Sequence, residues 1–366
     1  MHAMPGSSIG ERLVLTSFGE SHGRCVGAVL DGCPAGLELS ERDIQYMLDQ
    51  RRPGQSSITT QRKEADRVEI ISGVFRGHTT GAPIATVIWN TDQKSEAYDE
   101  LEHVPRPGHS DYPAMIKYGK FNDHRGGGRF SGRLTATHVM GGAIARKLLE
   151  KALKVRTISY VTSIGKVSVQ VKPPKTSKPV YSNDVRCPDA AAAARMRKAI
   201  VSAKTGGDSL GGIIESVTTG LPVGLGEPVF GSLESDLSRA IYSIPSVKGV
   251  EFGSGFAGAA STGSENNDPF RIKSGKITTI TNNSGGILGG LSIGTPITMR
   301  VAFKPVSSIP QKQSTVDTKA NKPAVLRVKG RHDPCVVPRA PPVVDALVSL
   351  VIADHAIQGG FIRGVL

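Results

Sequence analysis

Arginines and histidines that stand beside glycines are the residues of this chain best suited to chemistry on an anion. The first cluster is Arg51-Arg52-Pro53-Gly54, and the second runs from Arg106 and resumes at Arg125-Gly126-Gly127-Gly128-Arg129. A third cluster follows Gly330, with Arg331 and later Arg339. Glycines let a backbone approach a ligand closely, and guanidinium groups bind phosphate or carboxylate through paired hydrogen bonds. These clusters therefore predict binding of a phosphate or carboxylate ligand.

The second cluster leads directly into a segment with helical spacing of apolar residues, which predicts a helix over residues 133–153. Free backbone N–H groups and the helix dipole favour an anion at such a start. Arg339 precedes the last predicted helix, over residues 341–357, in a similar way. For the glycine-rich segment taken alone, a solvated surface loop remains the alternative.

Three groups able to transfer protons come from distant parts of the chain, namely His22, His109 and Asp333. An imidazole that titrates near neutral pH can donate a proton to a leaving phosphate oxygen. Nearby arginines would stabilise the charge that develops on that leaving group. The sequence leaves open whether these three groups meet in space.

An internal repeat runs through the chain. Gly19–Gly23 recurs as Gly207–Gly211, and Gly77–Ile84 recurs as Gly290–Ile297, in the same order. The repeat predicts two pseudo-equivalent halves, about residues 1–150 and 200–366, that share one core. His22 of the first copy is replaced by Leu210 in the second. This difference favours a functional role for the imidazole, because an apolar residue satisfies the same place in the other copy.

Two other functions are compatible with parts of the sequence. Gly19-Glu20-Ser21-His22-Gly23 fits the pattern of a serine hydrolase with Ser21 as nucleophile, but that motif requires a following helix, and a strand-like segment follows here. The formal net charge of +13 would suit a basic RNA-binding protein. With aromatic residues at only 5%, few side chains are available to stack on bases.

The expected class is an α+β protein, with further helices over residues 40–50, 188–204 and 232–244 alternating with β-branched segments. The four cysteines are far apart and form no CxxC pair, so neither a metal site nor a disulfide framework is expected. The absence of an apolar leader or an 18-residue apolar run predicts a cytoplasmic protein that does not enter a membrane.

Seven motifs together resemble the chorismate synthase family. They occur in the family order and span residues 18 to 339, nearly the whole chain. The motifs are FGESHG (18–23), RRPGQ (51–55), RPGHSDY (106–112), RGGGRFSGR (125–133), GGILGG (285–290), KPVSS (304–308) and GRHDPC (330–335). The resemblance implies a β-α-β sandwich fold, usually a homotetramer, that requires reduced FMN. It also implies a 1,4-elimination of phosphate from 5-enolpyruvylshikimate 3-phosphate to give chorismate, a reaction that involves neither nucleic acid nor a metal.

The resemblance assigns roles to individual positions. His22 is similar to the histidine that protonates the reduced flavin, and His109 to the one that protonates the departing phosphate. Asp333, assisted by Ser21, is similar to the group that handles a proton at the flavin ring. The positions expected to contact FMN are Arg129, Phe130, Ser131, Pro245, Ser246, Gly289, Lys304, Pro305, Val306, Ser307, Ser308 and Arg331, and those expected to hold the substrate are Arg51, Arg133 and Arg339.

The sequence departs from the family pattern at a few positions. Ser57 stands where many relatives carry an arginine linked to a nicotinamide nucleotide, Phe130 replaces a commoner small residue, and Ser246 a commoner alanine. Without an added reductase domain in the sequence, we expect dependence on externally reduced FMN, with NADPH as an indirect reductant.

Overall fold

The computed structural model describes residues 6–54, 56, 58–59, 65–91, 100–328 and 333–366. The described α-helices are α1 (Glu41–Arg51), α2 (Asp111–Tyr118), α3 (Thr135–Leu153), α4 (Ala190–Thr205), α5 (Leu233–Ile241), α6 (Gly263–Asn266) and α7 (Pro341–Gln358). The five helices expected from the sequence are confirmed, with ends shifted by a few residues. The short helices α2 and α6 were not predicted.

The described strands are short and mostly antiparallel. They are β1 (Ser8–Ile9), β2 (Val14–Gly19), β3 (Cys25–Asp31), β4 (Glu69–Ile70), β5 (Val74–Phe75), β6 (His78–Thr79), β7 (Ile84–Trp89), β8 (Arg156–Ile164), β9 (Val167–Ser168), β10 (Gly212–Thr219), β11 (Val223–Gly226), β12 (Val247–Phe252), β13 (Phe270–Lys273), β14 (Lys276–Thr279), β15 (Ile287–Leu288), β16 (Leu291–Ile293), β17 (Ile297–Phe303), β18 (Lys312–Asp317) and β19 (Lys322–Arg327).

Two five-stranded sheets have the same strand order except at one edge, where β1 precedes its neighbour β2 in the chain and β9 follows its neighbour β8. The first is β1-β2-β3-β7-β4, and the second, taken from its opposite edge, is β9-β8-β10-β17-β12. In the first sheet β3 pairs with β7 so that Leu30 faces Ile84, and in the second β10 pairs with β17 so that Thr218 faces Ile297. These four residues occupy matching places in the two sequence repeats. Both copies therefore fold with the same strand register.

The second sheet begins at Arg156 in β8, earlier than the expected start of the second half near residue 200. The sequence of β8, RTISYVTSI, carries hydroxyl groups among its apolar residues. This mixed composition does not by itself indicate a buried strand. Ser159 of β8 donates a hydrogen bond to Ser216 of β10 at 2.9 Å, and Thr157 and Thr218 are hydrogen-bonded at the same distance. Paired hydroxyls can be buried at low cost because each satisfies the other.

Helices α3 and α7 form the layer between the two sheets. Helix α3 packs on β2 and β3, helix α7 packs on β8 and β10, and the two helices pack on each other. A Cβ on Gly142 would lie 2.4 Å from Ala346, so the helices approach each other closely there. All residues of α7 up to Ala356 are buried, which suits a helix covered on every side. This arrangement confirms the α+β, β-α-β sandwich expected from the sequence.

None of the described helices combines the length and the apolar composition needed to cross a bilayer.

The core contains a carboxyl group, Asp345 of α7, which is 4% exposed. Burial raises the pKa of Asp345 to about 7, although the charge of Arg146 and hydrogen bonds with Ser159 act in the opposite direction. Burial disfavours the ionised form of a carboxyl group, so the folded protein holds this proton more tightly than the unfolded chain does.

We therefore expect Asp345→Asn to increase stability at neutral pH. Because the folded-state pKa lies above the unfolded one, Asp345 weakens folding progressively from about pH 4 to about pH 7, and the full cost is present above that range. The variant should gain about 2–4 kcal/mol in free energy of unfolding at pH 8 and much less at pH 4, measured by urea unfolding. The exposed Asp31→Asn is the control, and an equal gain at both pH values for Asp345→Asn would contradict the assignment.

Candidate active site

A cavity of about 570 Å³ is lined by residues from both the N-terminal and the C-terminal parts of the chain. Its walls are formed by residues from 51–53, 106–110, 126–135, 242–248, 303–308 and 333–343. These segments include parts of all three arginine clusters recognised in the sequence. Three distant stretches of the chain thus converge on one cavity, which sequence alone could not establish.

Three consecutive glycines shape one wall of the cavity. Gly126, Gly127 and Gly128 have φ angles of +59°, +81° and +50°, all in the region that L-residues with a side chain adopt at a cost. After this loop, the Ser131 hydroxyl accepts a hydrogen bond from the Arg133 backbone N–H at 3.3 Å and caps the turn that leads into α3. The segment from Gly126 to Gly128 is called the glycine loop below.

His22 and Ser21 lie behind the glycine loop rather than in the cavity wall. A Cβ on Gly126 would lie 1.9 Å from His22 Nδ1 and 2.9 Å from Ser21 Oγ, so only glycine fits there. His22 is 4% exposed and Ser21 is fully buried. The Ser21 backbone N–H also donates to the Gly128 carbonyl at 3.3 Å. The expected catalytic positions at 21 and 22 therefore contact the wall from its far side.

The structure does not support a hydrolase that uses Ser21. The turn after β2 leads into the antiparallel strand β3, whereas a nucleophile elbow connects a strand to a helix. Ser21 Oγ has no hydrogen-bond partner among the described residues, so no base is in place to activate it.

On the cavity side of the glycine loop, His109 is held by Asp111 and Arg106. His109 Nδ1 lies 2.6 Å from Asp111 Oδ1, and Arg106 donates to the two carboxylate oxygens through Nε at 2.7 Å and Nη2 at 2.8 Å. Burial opposes ionisation of Asp111, but hydrogen bonds from Arg106 and His109 hold its pKa well below the ordinary value. With Asp111 ionised, His109 Nδ1 donates to it. His109 Nε2, which a Cβ on Gly127 would approach to 3.6 Å, is left for a ligand.

Below the start of α3, Arg51 and Arg133 share the buried carboxylate of Asp66. Arg51 Nη1 lies 2.7 Å from Asp66 Oδ2, and Arg133 pairs with the other oxygen. Burial alone would raise the pKa of Asp66, but the charges of these two arginines hold it below its ordinary value. Arg51 also donates to Thr135 Oγ1 at 3.0 Å and to the Gly132 carbonyl at 3.1 Å. Both arginines line the cavity, where their positions are fixed by these partners.

Asp333 is paired with Arg339 in a salt bridge, and both side chains line the cavity. Arg339 Nε in addition donates to the Arg51 carbonyl at 3.1 Å. This bond joins the segment before α7 to the end of α1. Asp333 and the substrate-binding candidates Arg51 and Arg339 are thus held in one connected group.

The opposite wall is formed by Lys304–Ser308, which follows β17. Lys304 Nζ donates to the Gly108 carbonyl at 2.7 Å, and Ser308 Oγ accepts from Arg106 at 3.0 Å. Burial, and then the nearby charge of Lys248, lower the pKa of Lys304. The two walls therefore contact each other through the segment that carries His109.

Most of the residues expected at the site line this cavity. They are His109, Asp333, Arg129, Phe130, Ser131, Pro245, Ser246, Lys304, Val306, Ser307, Ser308, Arg51, Arg133 and Arg339. Arg129 also anchors the glycine loop to β2, because it donates to the Ser17 and Gly19 carbonyls at 3.1 Å each.

Some expected positions are not brought to the cavity. Gly289 lies in the turn between β15 and β16, in a three-stranded sheet with β11, and does not line the cavity. Pro305 is absent from the lining although its neighbours are present. Arg331 and Ser57 lie outside the described residues.

Sequence reasoning placed Arg106 only in an arginine cluster expected to bind an anion, and it assigned no role to Asp111 or Asp66. The first two stand in the RPGHSDY motif around His109, so a carboxylate two residues after a histidine was the available signal. Asp66 stands in no such motif, and only the fold places it between Arg51 and Arg133.

Comparisons with known proteins agree on one family. Residues 13–357 match the family model described as chorismate synthase. The chain is 51% identical to the chorismate synthase of Korarchaeum cryptofilum over 99% of this chain and 100% of that protein. It is 50% identical to that of Dehalococcoides mccartyi over 98% and 99% of the two chains. A crystal structure of chorismate synthase superimposes with a TM-score of 0.71 at 29% identity, covering 96% of this chain and 93% of the other.

These matches span nearly the full length of the chain and of each relative, and they do not support the hydrolase or RNA-binding alternatives. The chain belongs to the chorismate synthase family, and it is a flavin-dependent carbon–oxygen lyase that eliminates phosphate from 5-enolpyruvylshikimate 3-phosphate to give chorismate, the last common step of the shikimate pathway.

Proposed function

We propose that the cavity between the glycine loop and Lys304–Ser308 binds reduced FMN and the substrate together. The observation that carries this proposal is the convergence of basic side chains around a cavity that also has an apolar lining. The basic lining residues are Arg51, Arg106, Arg129, Arg133, Lys248, Lys304 and Arg339, and the apolar ones include Phe130, Ile244, Phe303 and Val343.

Such a lining fits a flavin that carries a phosphate group. The volume of about 570 Å³ lies within the range of about 300–1,000 Å³ usual for ligand pockets. The glycine loop adds a surface without side chains, on which a flat ring or a phosphate can approach the backbone. When bound, reduced FMN supplies transient electron density for cleavage of the carbon–oxygen bond, without net redox change.

His109 is proposed to donate the proton that the departing phosphate takes up. Its Nδ1–H is engaged by Asp111, which fixes the orientation of the ring. Nε2 is then the atom that can hold the transferred proton. Arg106, bonded to the same carboxylate, keeps Asp111 ionised throughout. Other arginines of the wall stabilise charge on the leaving phosphate.

The remaining arginines are proposed to bind the anionic groups of the substrate. Arg339 and Arg133 are the best placed, since both line the cavity and are fixed by partners within the protein. Side chains held in this way lose little conformational freedom when the ligand binds. Arg51 has its donors directed to Thr135, Asp66 and Gly132, so its contribution is chiefly to hold the wall and add charge.

His22 is proposed to exchange a proton with the flavin from behind the glycine loop, and Asp333 from the cavity side. His22 contacts Gly126, a lining residue, so one glycine separates the imidazole from the cavity. Asp333 lines the cavity directly and is held by Arg339. Ser21 would support this exchange by its contacts with the glycine loop.

We also propose that the FMN is reduced outside this chain, with NADPH as an indirect source of electrons. A reducing compartment such as the cytoplasm fits the cysteines, which are all free thiols.

A homotetramer is proposed from the family resemblance. It is supported by the hairpin of β13 and β14, on which Phe270, Ile272 and Ile277 are 64%, 78% and 71% exposed. Exposed apolar residues grouped in this way suit contact with another subunit.

His109→Ala and His22→Ala should each keep the fold and lower kcat by about 10²–10⁴-fold, because each removes a proton-transfer group. The measurement is anaerobic turnover of 5-enolpyruvylshikimate 3-phosphate with chemically reduced FMN, following chorismate and released phosphate together. His78→Ala is the control, since His78 is an exposed histidine of β6. Normal turnover in both active-site variants would refute the proposed roles.

Gly126→Ala should abolish most turnover, because the added Cβ would meet His22 at 1.9 Å. Gly119→Ala is the matched control. Gly119 also has a positive φ, of +57°, but a Cβ there would meet no atom within 4 Å. Both variants should lose about 1–3 kcal/mol of stability from the backbone conformation, whereas only Gly126→Ala should lose activity. Equal activities in the two variants would show that contact between the glycine loop and His22 is not required.

A further inference from the structure

The turn Gly207–Gly211 is the second copy of the turn that carries Ser21 and His22, and its residues are not among those proposed to contact FMN or substrate. It lies beside the cavity and contacts two of the segments that form it. The Ser209 hydroxyl donates to the Val306 carbonyl at 2.7 Å, and the Leu210 backbone N–H donates to the Pro334 carbonyl at 2.9 Å. One turn thus holds both the Lys304–Ser308 wall and the segment that begins at Asp333.

The fit between this turn and the wall is close. Ser209 is 7% exposed, so its bond to Val306 is largely shielded from water. A Cβ on Gly211 would lie 2.2 Å from the Phe303 carbonyl oxygen and 3.0 Å from the Pro305 nitrogen. The turn therefore packs directly against the start of the Lys304–Ser308 segment.

The first copy of the turn contacts a different segment, the glycine loop, through a backbone bond instead of a hydroxyl. There the Ser21 N–H donates to the Gly128 carbonyl at 3.3 Å, and Asn90 donates to the Glu20 and Gly23 carbonyls at 3.1 and 2.8 Å. Each copy thus supports one wall: the first supports the glycine loop, and the second supports Lys304–Ser308. Each turn thus contacts a segment that contributes residues to the cavity lining.

We infer that Ser209 is a positioning residue that fixes the Lys304–Ser308 wall for cofactor binding. This inference rests on the proposed role of that wall in holding FMN. By fixing the Val306 carbonyl, the hydroxyl sets the course of the chain two residues before Ser308. Ser308 in turn accepts a hydrogen bond from Arg106 at 3.0 Å. Arg106 also binds Asp111, the partner of His109. A chain of hydrogen bonds therefore connects the Lys304–Ser308 wall to His109, the proposed proton donor.

Leu210 explains why the turn Gly207–Gly211 can position the wall but cannot transfer a proton. In the first copy the equivalent position is His22, which supplies an imidazole next to the glycine loop. Leu210 provides no titratable group, and its side chain packs against Gly165, where a Cβ would lie 3.3 Å from Leu210 Cδ2. The two turns thus share a structural role, while only the first carries an acid–base group.

The test compares Ser209→Ala with Ser209→Thr and with Thr79→Val. Thr79 is a buried residue of β6 whose hydroxyl donates to the Pro34 carbonyl at 2.6 Å, outside the cavity lining. It therefore matches Ser209 as a buried hydroxyl bonded to a backbone carbonyl. For each protein the measurements are the urea-unfolding midpoint, the Kd of oxidised FMN in the presence of 5-enolpyruvylshikimate 3-phosphate, and kcat and KM under anaerobic conditions.

Ser209→Ala should raise the Kd of FMN about three- to tenfold, as expected for one lost buried hydrogen bond, and Ser209→Thr should restore it to within about twofold. Thr79→Val should lower stability without changing the Kd. If Ser209→Ala, like Thr79→Val, changes stability alone, the inference is wrong. Ser308→Ala distinguishes the role of Ser209 from the role of the Lys304–Ser308 wall in FMN binding. A weakened FMN complex in Ser308→Ala with unchanged binding in Ser209→Ala refutes only the role of Ser209. Unchanged binding in both refutes the proposed wall.

Discussion

The site depends on three consecutive residues that lack side chains. Gly126, Gly127 and Gly128 all have positive φ angles, and the bare backbone of Gly126 lets the His22 ring approach closely. His22 contacts Gly126 from within the protein, and His109 contacts Gly127 from the cavity. A single Cβ at Gly126 would push the first imidazole away. The glycine loop therefore fixes the separation of the two proposed proton-transfer groups, and the other elements hold this loop in place.

Several arginines of the site are paired with aspartates of the protein before any ligand binds. Asp66 pairs with both Arg51 and Arg133, Asp111 is bound by Arg106, and Asp333 by Arg339. Buried guanidinium groups without partners would be costly, and paired ones are rigid. The cavity lining as a whole remains basic, because its arginines and lysines outnumber its carboxylates. The site is thus already organised for an anionic ligand, which reduces the entropy lost on binding.

The sequence predicted much of this structure because its signals are local or repeated. The repeat of Gly19–Gly23 at Gly207–Gly211 predicted two pseudo-equivalent halves, and helical spacing located α3 and α7. Strand β8 was missed because its serine and threonine hydroxyls pair with β10, a contact that exists only in the folded sheet.

The site itself was only partly predictable. The family motifs identified residues such as His109 and Asp333, which the structure places at one cavity. They did not show that His22 lies behind the glycine loop, or that Asp66 holds two arginines, since both facts depend on contacts between distant segments. Gly289 illustrates the opposite case: it lies in a motif, but its turn belongs to a separate small sheet away from the cavity.

The most direct test is a crystal structure of the protein with oxidised FMN and 5-enolpyruvylshikimate 3-phosphate bound together. The distance to measure is that from His109 Nε2 to the ester oxygen of the substrate phosphate. We predict a hydrogen-bond distance of about 2.6–3.2 Å, with the flavin between the glycine loop and Lys304–Ser308. A flavin bound outside this cavity, or a phosphate that His109 cannot reach, would contradict the account.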